Sequence, residues 1–227
     1  MRIAAAKQTT DGQRIRGPGL AILISGNEGA PYDEGLMRAD AGNLVIASNK
    51  RMSRMLIWSD EWKTKYNLFG CWTGTTTAYE EAGKAFGRLV EYTDEKAGIR
   101  YIFPVPDEFV GATDCLLVAE HPDFTLERKG NDRIVRAARI ALIERFPAEN
   151  GWYPGDDAYD IPNGDAVDSS GPGARRLWRI GGARVGPVAR GYGGDNDKYD
   201  GRRDIVLNGR PCGALGMAVE APLGRRI

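Results

Sequence analysis

The chain is poor in the residues that build catalytic and metal centres. It has one histidine, His121, among 227 residues. That excludes a multi-histidine metal site, and it leaves His121 as the sole side-chain base for any Ser-His-Asp set, with no nucleophile elbow to accompany it. Cysteine is sparse too. Cys71, Cys115 and Cys212 are an odd number without zinc-like spacing. They read as reduced thiols, with a Cys71–Cys115 bridge as an alternative that the spacing does not support. No window approaches the roughly 20 consecutive apolar residues of a membrane helix, so no membrane span is expected. The N-terminal Met-Arg-Ile-Ala-Ala-Ala-Lys lacks the apolar run of a signal peptide. The glycine-rich stretches carry neither the Lys-Ser/Thr of a phosphate-binding loop nor the spacing of a dinucleotide fingerprint. Net charge is also missing, with 31 Lys/Arg against 31 Asp/Glu.

What is present is ordinary globular material. Apolar residues make up 42% and charged residues 27%, enough for a core, and the length suits one large domain or two small ones. We take residues 1–227 as one domain, with strands and loops over 1–69. The charge balance is uneven along the chain. Residues 175–227 hold 11 Lys/Arg against 5 Asp/Glu, so the remainder is acidic. A basic C-terminal quarter suits an acidic protein, a glycan or a nucleic acid.

Apolar runs predict strands at Leu20–Ile24, Leu44–Ile46, Arg54–Trp58 and Leu116–Val118. Residues 26–42 read as loop, punctuated by Gly29, Pro31 and Gly35. A helix is predicted over Thr77–Tyr92, with Thr77 and Glu80 as a capping box and Tyr79, Ala82, Phe86 and Leu89 on one face. Gly98 then turns the chain into a proline-containing strand, Phe103–Phe109. A second helix is predicted from Asn131 to Phe146, with Val135, Ala138 and Leu142 inward and Pro147 as its stop. Residues 150–174 read as an irregular loop. Asp156, Asp157, Asp160 and Asp165 within it could form an oxygen site for calcium, but a solvated acidic loop is the expectation, because no spacing supports a metal. Gly194–Gly201 likewise fails as a calcium loop starting at Asp195, since Tyr199, Asp200 and Val206 would stand at its fifth, sixth and twelfth places.

The stretch from Trp178 to Glu220 organises the rest. Val185, Val188 and Ala189 give its first end the content of a strand, and Leu215, Met217 and Val219 alternate at the other. Trp178, Leu215, Met217 and Val219 are expected to be buried. Between the strands lie residues rich in Gly, Asp, Asn, Arg and Tyr, a mixture that recognition loops favour. The candidate ligand-binding residues are Arg184, Arg190, Tyr192, Asp195, Asn196, Asp197, Lys198, Tyr199, Asp204, Asn208 and Arg210.

The order of these signals resembles a known family. A capped helix precedes Phe103-Pro-Val-Pro-Asp107, which stands where that family has "RLPTE". Arg179-Ile-Gly-Gly182 stands for "RGGSW", a polar loop follows, and Leu215–Val219 closes the chain. The pattern covers roughly residues 70–220 and resembles the C-type-lectin-like fold in its formylglycine-generating-enzyme branch. The resemblance implies an α+β fold with two helices and a small, mainly antiparallel sheet. The enzymes of that branch place copper-binding cysteines in a region where this chain has none between Trp178 and Pro211. Their sulfoxide-synthase relatives use several histidines. The non-catalytic variable proteins of diversity-generating retroelements fit better. For this chain the resemblance implies a ligand-binding display protein without a cofactor. Its 175–220 region would be diversified to meet a protein or glycan target, in a cell or on a virus or phage particle. The alternatives are a sulfatase-modifying type of enzyme, and a nucleic-acid binder using the basic C-terminal region with Tyr192 and Tyr199 as stacking faces.

Overall fold

A computed structural model describes residues 14–17, 20–24, 32–58, 71–95, 98–130, 132–179, 184–190, 204–207 and 216–220. Among these residues, two α-helices and fifteen strands make the fold α+β. The strands are β1 (Arg14–Gly17), β2 (Leu20–Ile24), β3 (Val45–Ile46), β4 (Cys71–Tyr79), β5 (Leu89–Asp94), β6 (Ile99–Pro104), β7 (Leu116–Glu120) and β8 (Phe124–Lys129). They continue with β9 (Asp132–Ala137), β10 (Ala141–Ile143), β11 (Gly151–Pro154), β12 (Ala174–Arg179), β13 (Val185–Arg190), β14 (Asp204–Leu207) and β15 (Gly216–Glu220). The helices are α1 (Tyr32–Ala41) and α2 (Asn49–Trp58).

The strands form two sheets. The larger runs β1-β2-β15-β4-β13-β14-β12-β11, with β7 on β4, β10 on β7 and β3 on β15. The smaller runs β5-β6-β9-β8. Successive side chains of a strand point to opposite faces, and the large sheet is apolar on both. Trp72, Ala78, Val185 and Ala189 face a core shared with Val90, Tyr101, Phe103 and Val135 of the small sheet and with Tyr32 and Leu36 of α1. Leu116, Val118, Leu177, Val188, Ile205 and Leu207 face a second core, closed by Phe146, Tyr153 and Ile161.

Two gaps between earlier strands are filled late in the chain. β14 lies between β12 and β13, parallel to the first and antiparallel to the second. β15 lies between β2 and β4, antiparallel to the first and parallel to the second. The strands expected at 20–24, 44–46, 116–118 and over Val185–Ala189 are present, the second as Val45–Ile46.

The expected helices are not where the sequence put them. Thr77 lies inside β4, where Thr75, Thr76 and Thr77 are fully buried between neighbouring strands. β-Branched residues pack well on a pleated surface and lose rotamer freedom in a helix. Beyond Tyr79 the chain turns at Gly83 (φ +74°), and Leu89 starts β5 half exposed. The second expected helix is the pair β9 and β10. Lys129 opposes Asp132, so a two-residue connection that includes Gly130 (φ +64°) makes a hairpin there. Asn131, where the sequence predicts the helix to begin, lies outside the described residues.

Conversely, both observed helices fall where none was expected. Ser48 caps α2, its Oγ accepting from the Arg51 N–H at 3.4 Å. The apolar run expected as a strand is the last turn of that helix. α1 buries Tyr32, Asp33, Gly35, Leu36 and Ala39, and Asp33 is ion-paired to Arg133 of β9. Among the other expectations, Trp178 is only partly buried and packs against the first core. The Leu215 residue, and the Met217 and Val219 side chains, lie outside the described residues. Cys115 is a free, buried thiol, so the Cys71–Cys115 bridge is excluded. Tyr79 pairs with Leu116 at the far end of β4 from Cys71, and eight residues of strand span about 26 Å.

Candidate functional site

One end of the large sheet gathers many strand ends. A single row of paired residues runs Gly216, Cys71, Arg190, Ile205, Leu177 and Gly151 across six strands. Gly216 also opposes Ile24, where β2 finishes. At this end β4 and β15 begin, β13 finishes and β14 begins one residue before the row. The same end carries the 155–173 connection, since Pro154 opposes Ala174. Residues 191–203 therefore connect two adjacent antiparallel strands here.

That end is locked from beneath by a buried polar cluster. Arg190 is wholly buried. Its Nε donates to Asn49 Oδ1 at 2.6 Å, and one terminal nitrogen donates to Asp160 Oδ2 at 2.7 Å and to Ser53 Oγ. Arg175 Nε donates to the same Asp160 oxygen at 2.8 Å. Asn49 Nδ2 in turn donates to the carbonyls of Tyr159 and Asp160, each at 2.9 Å. The cluster joins α2, β12, β13 and the loop after β11. A buried arginine needs this many partners, because an uncompensated charge in the interior is very costly.

The acidic loop is organised by its own backbone. Asp156 Oδ1 accepts from the N–H groups of Ala158 and Tyr159, both at 2.8 Å, and its Oδ2 from Ile161 N–H at 2.9 Å. Asp160 takes a left-handed φ of +57° and faces the two arginines. Asp165 pairs with Arg145 at 2.8 Å, and the Asp157 carbonyl accepts from Lys50. Among the described residues no group of three or more His, Cys, Asp or Glu is placed to hold a metal.

His121 has both ring nitrogens engaged. Nδ1 accepts from Ile46 N–H at 3.2 Å, which puts the ring hydrogen on Nε2, 3.3 Å from Asp40 Oδ1. Burial pushes its pKa below the ordinary histidine value, with Asp40 opposing. Arg179 lies over the rings of Phe146 and Tyr79 at 4.7 and 5.2 Å and donates to the carbonyls of Pro147 and Ala148. Burial lowers its pKa. Arg176 lies over Trp178 at 4.1 Å and Trp152 at 5.6 Å.

The sequence-predicted site residues fall in three groups. Arg190, expected to contact a ligand, is instead a core residue, because its strand sits between β4 and β14 and its face meets α2. Arg184 is partly exposed and ion-paired to Glu80, and its carbonyl accepts from Tyr79 N–H at 2.9 Å. Asp204 heads β14, where its backbone opposes Arg176. Tyr192, Asp195, Asn196, Asp197, Lys198, Tyr199, Asn208 and Arg210 lie outside the described residues. Sequence reasoning missed Asn49, Ser53 and Arg175, and weighed Asp160 only as an oxygen ligand for calcium rather than as the partner of two arginines. The available signal was an arginine closing an otherwise apolar strand, which requires a buried acid elsewhere.

Compared with protein-family models, with curated proteins and with solved structures, the chain finds no match.

Proposed function

We propose that the protein is a non-catalytic binding module. In this reading, a lectin-like α+β frame presents the segment between β13 and β14, and the segment leading into β15, to a protein or glycan target. The resemblance to variable proteins of diversity-generating retroelements supplies the biological setting. The observation that carries the reading is the row of strand ends held by the Arg190 cluster. Recognition residues generally sit on connections that a rigid frame positions. Here the frame's own polar groups are used in holding those ends, so the connecting sequence can vary without disturbing them. The engaged ring of His121 and the buried Cys115 thiol also support a binding role, since neither is presented as a free base or nucleophile.

Two measurements test the reading. A near-copy of the codons for residues 180–212 in the flanking DNA, differing only at adenines, is expected; its absence counts against diversification. In the protein, Tyr192→Ala with Tyr199→Ala should change stability by no more than about 0.5 kcal/mol, as surface substitutions do. Arg190→Ala should cost about 3 to 5 kcal/mol, because it leaves Asp160 short of a buried partner. If the tyrosine pair unfolds the protein while Arg190→Ala does not, frame and recognition surface have been assigned the wrong way round.

A further inference from the structure

We propose that His121 is an acid-released latch, which holds β3, and through it the last residues of β15, onto the body of the large sheet. His121 directly follows β7, and its side chain is only 4% exposed. β3 has two residues, Val45 and Ile46, which oppose Glu220 and Val219 of β15. The Ile46 N–H does not go to β15. It donates to His121 Nδ1 at 3.2 Å, so the ring stands in for a neighbouring strand along the other edge of β3. Two backbone bonds complete the junction. Gly74 N–H donates to Ala47 O and His121 N–H to Gly74 O, each at 2.7 Å. β4 pairs with β15 at Gly216 and Met217, and β3 takes over at Val219 and Glu220.

The bond from Ile46 requires a neutral ring. A protonated histidine has two N–H donors and no acceptor, so protonation sets one N–H against another. The groups around the ring do not reverse this. Asp40, at the end of α1, lies 3.3 Å from Nε2 and favours the charged ring, but it is 56% exposed, and water screens it. Asp123, in the turn after β7, acts in the same direction, but Arg139 neutralises it across 2.6 Å. Glu120, the preceding residue, is bonded to the Ser48 and Thr75 hydroxyls. From β8 the Phe124 ring meets the imidazole edge-on, centroids 5.5 Å apart. β3 and β4 present the Ile46 N–H and the Gly74 carbonyl. Burial is the strongest influence and opposes the charge. A proton therefore binds best once the ring and the Ile46 N–H have separated.

The part that yields is β3. The turn leading into it, residues 40–43, is exposed, whereas His121 continues a strand paired to both β4 and β10. Lifting β3 leaves Val219 and Glu220 without their neighbour on that side. Acidification thus loosens the last residues of β15 while the rest of the sheet stays paired. A freed histidine titrates at about 6.5, so the open fraction should rise by up to about tenfold between pH 7.5 and pH 5.5.

The test is amide hydrogen exchange of the whole chain, read by NMR across that pH range and corrected for the intrinsic exchange rate. Protection at Ile46 should fall by up to about tenfold, with Glu220 following it. Tyr101 and Val135 in the small sheet should hold theirs. Ring nitrogen shifts at neutral pH should place the hydrogen on Nε2. His121→Asn retains an acceptor and does not titrate, so Ile46 protection in that variant should not depend on pH. Asp40→Asn removes a group that favours the charged ring, and its loss of protection should be at least as large as the native chain's. A ring hydrogen on Nδ1, constant protection at Ile46, or an equal loss throughout the small sheet overturns the latch. So does an undiminished pH dependence in folded His121→Asn. Should that variant fail to fold, the tautomer and the native exchange profile still decide.

Discussion

Arg190 and His121 show how polar side chains can be framework. Each lies in or beside the core with its hydrogen-bonding groups committed, and each is invisible to a hydrophobicity pattern. For His121 the consequence is a pH dependence. Its folded pKa lies below the ordinary value of 6.5, so as pH falls through that value the unfolded chain takes up a proton that the folded chain refuses. Stability contributed by the neutral ring is therefore complete above about pH 6.5 and is lost as pH drops toward the folded pKa. Thermal melts at neutral and mildly acidic pH should show this loss in the native chain. His121→Asn, which can still accept from Ile46 N–H, should lack that part of the decline. An identical decline in both proteins would place the titration elsewhere.

At the scale of elements, close packing and sequence pattern diverge, and the divergence is physical. α2 turns Asn49 and Ser53 inward to meet Arg190. Polar residues therefore share its buried face with Met52, and the apolar residues at its end mimic a strand. α1 similarly buries Asp33 and Gly35, which hides its period. Tyr79, Ala82, Phe86 and Leu89 match a helix by chance of spacing, but the threonines before them are held in the middle of a sheet. The strands over 20–24, 45–46, 116–120, 185–190 and 216–220 were legible because apolar runs and alternation report local burial. The candidate site was legible only as a composition, since the Arg190 cluster joins residues up to 141 positions apart. One contact in this layer is unforgiving. A Cβ added at Gly74 would lie 2.2 Å from the Ile46 carbonyl oxygen, while Gly74 N–H donates to Ala47 O at 2.7 Å. Backbone cannot yield as a side chain tip can, so Gly74→Ala should cost about 3 kcal/mol in denaturant unfolding. A loss under about 0.5 kcal/mol, the size of an ordinary surface change, would mean that β3 and β4 lie farther apart.

For the molecule as a whole, β15 is the strand through which β1 and β2 join the large sheet. A chain ending at Leu207 should therefore release the β1–β2 hairpin. Limited proteolysis is expected to cut it within the first thirty residues, and its thermal transition should be broad. A sharp transition with a protected N-terminal region would show that the hairpin docks without β15. The late filling of both gaps also bears on biosynthesis. While the chain emerges from the ribosome, β2 and β4 stand apart, as do β12 and β13, and each presents unpaired N–H and C=O groups that invite wrong partners. The second vacancy can close only after residue 207 has been made, and the first only after residue 220. Assembly is thus dominated by distant pairings, the regime of slow folding in which partly formed sheets aggregate. Yield in a cell should accordingly depend on chaperones that shield open strand edges, more than on the stability of the finished protein.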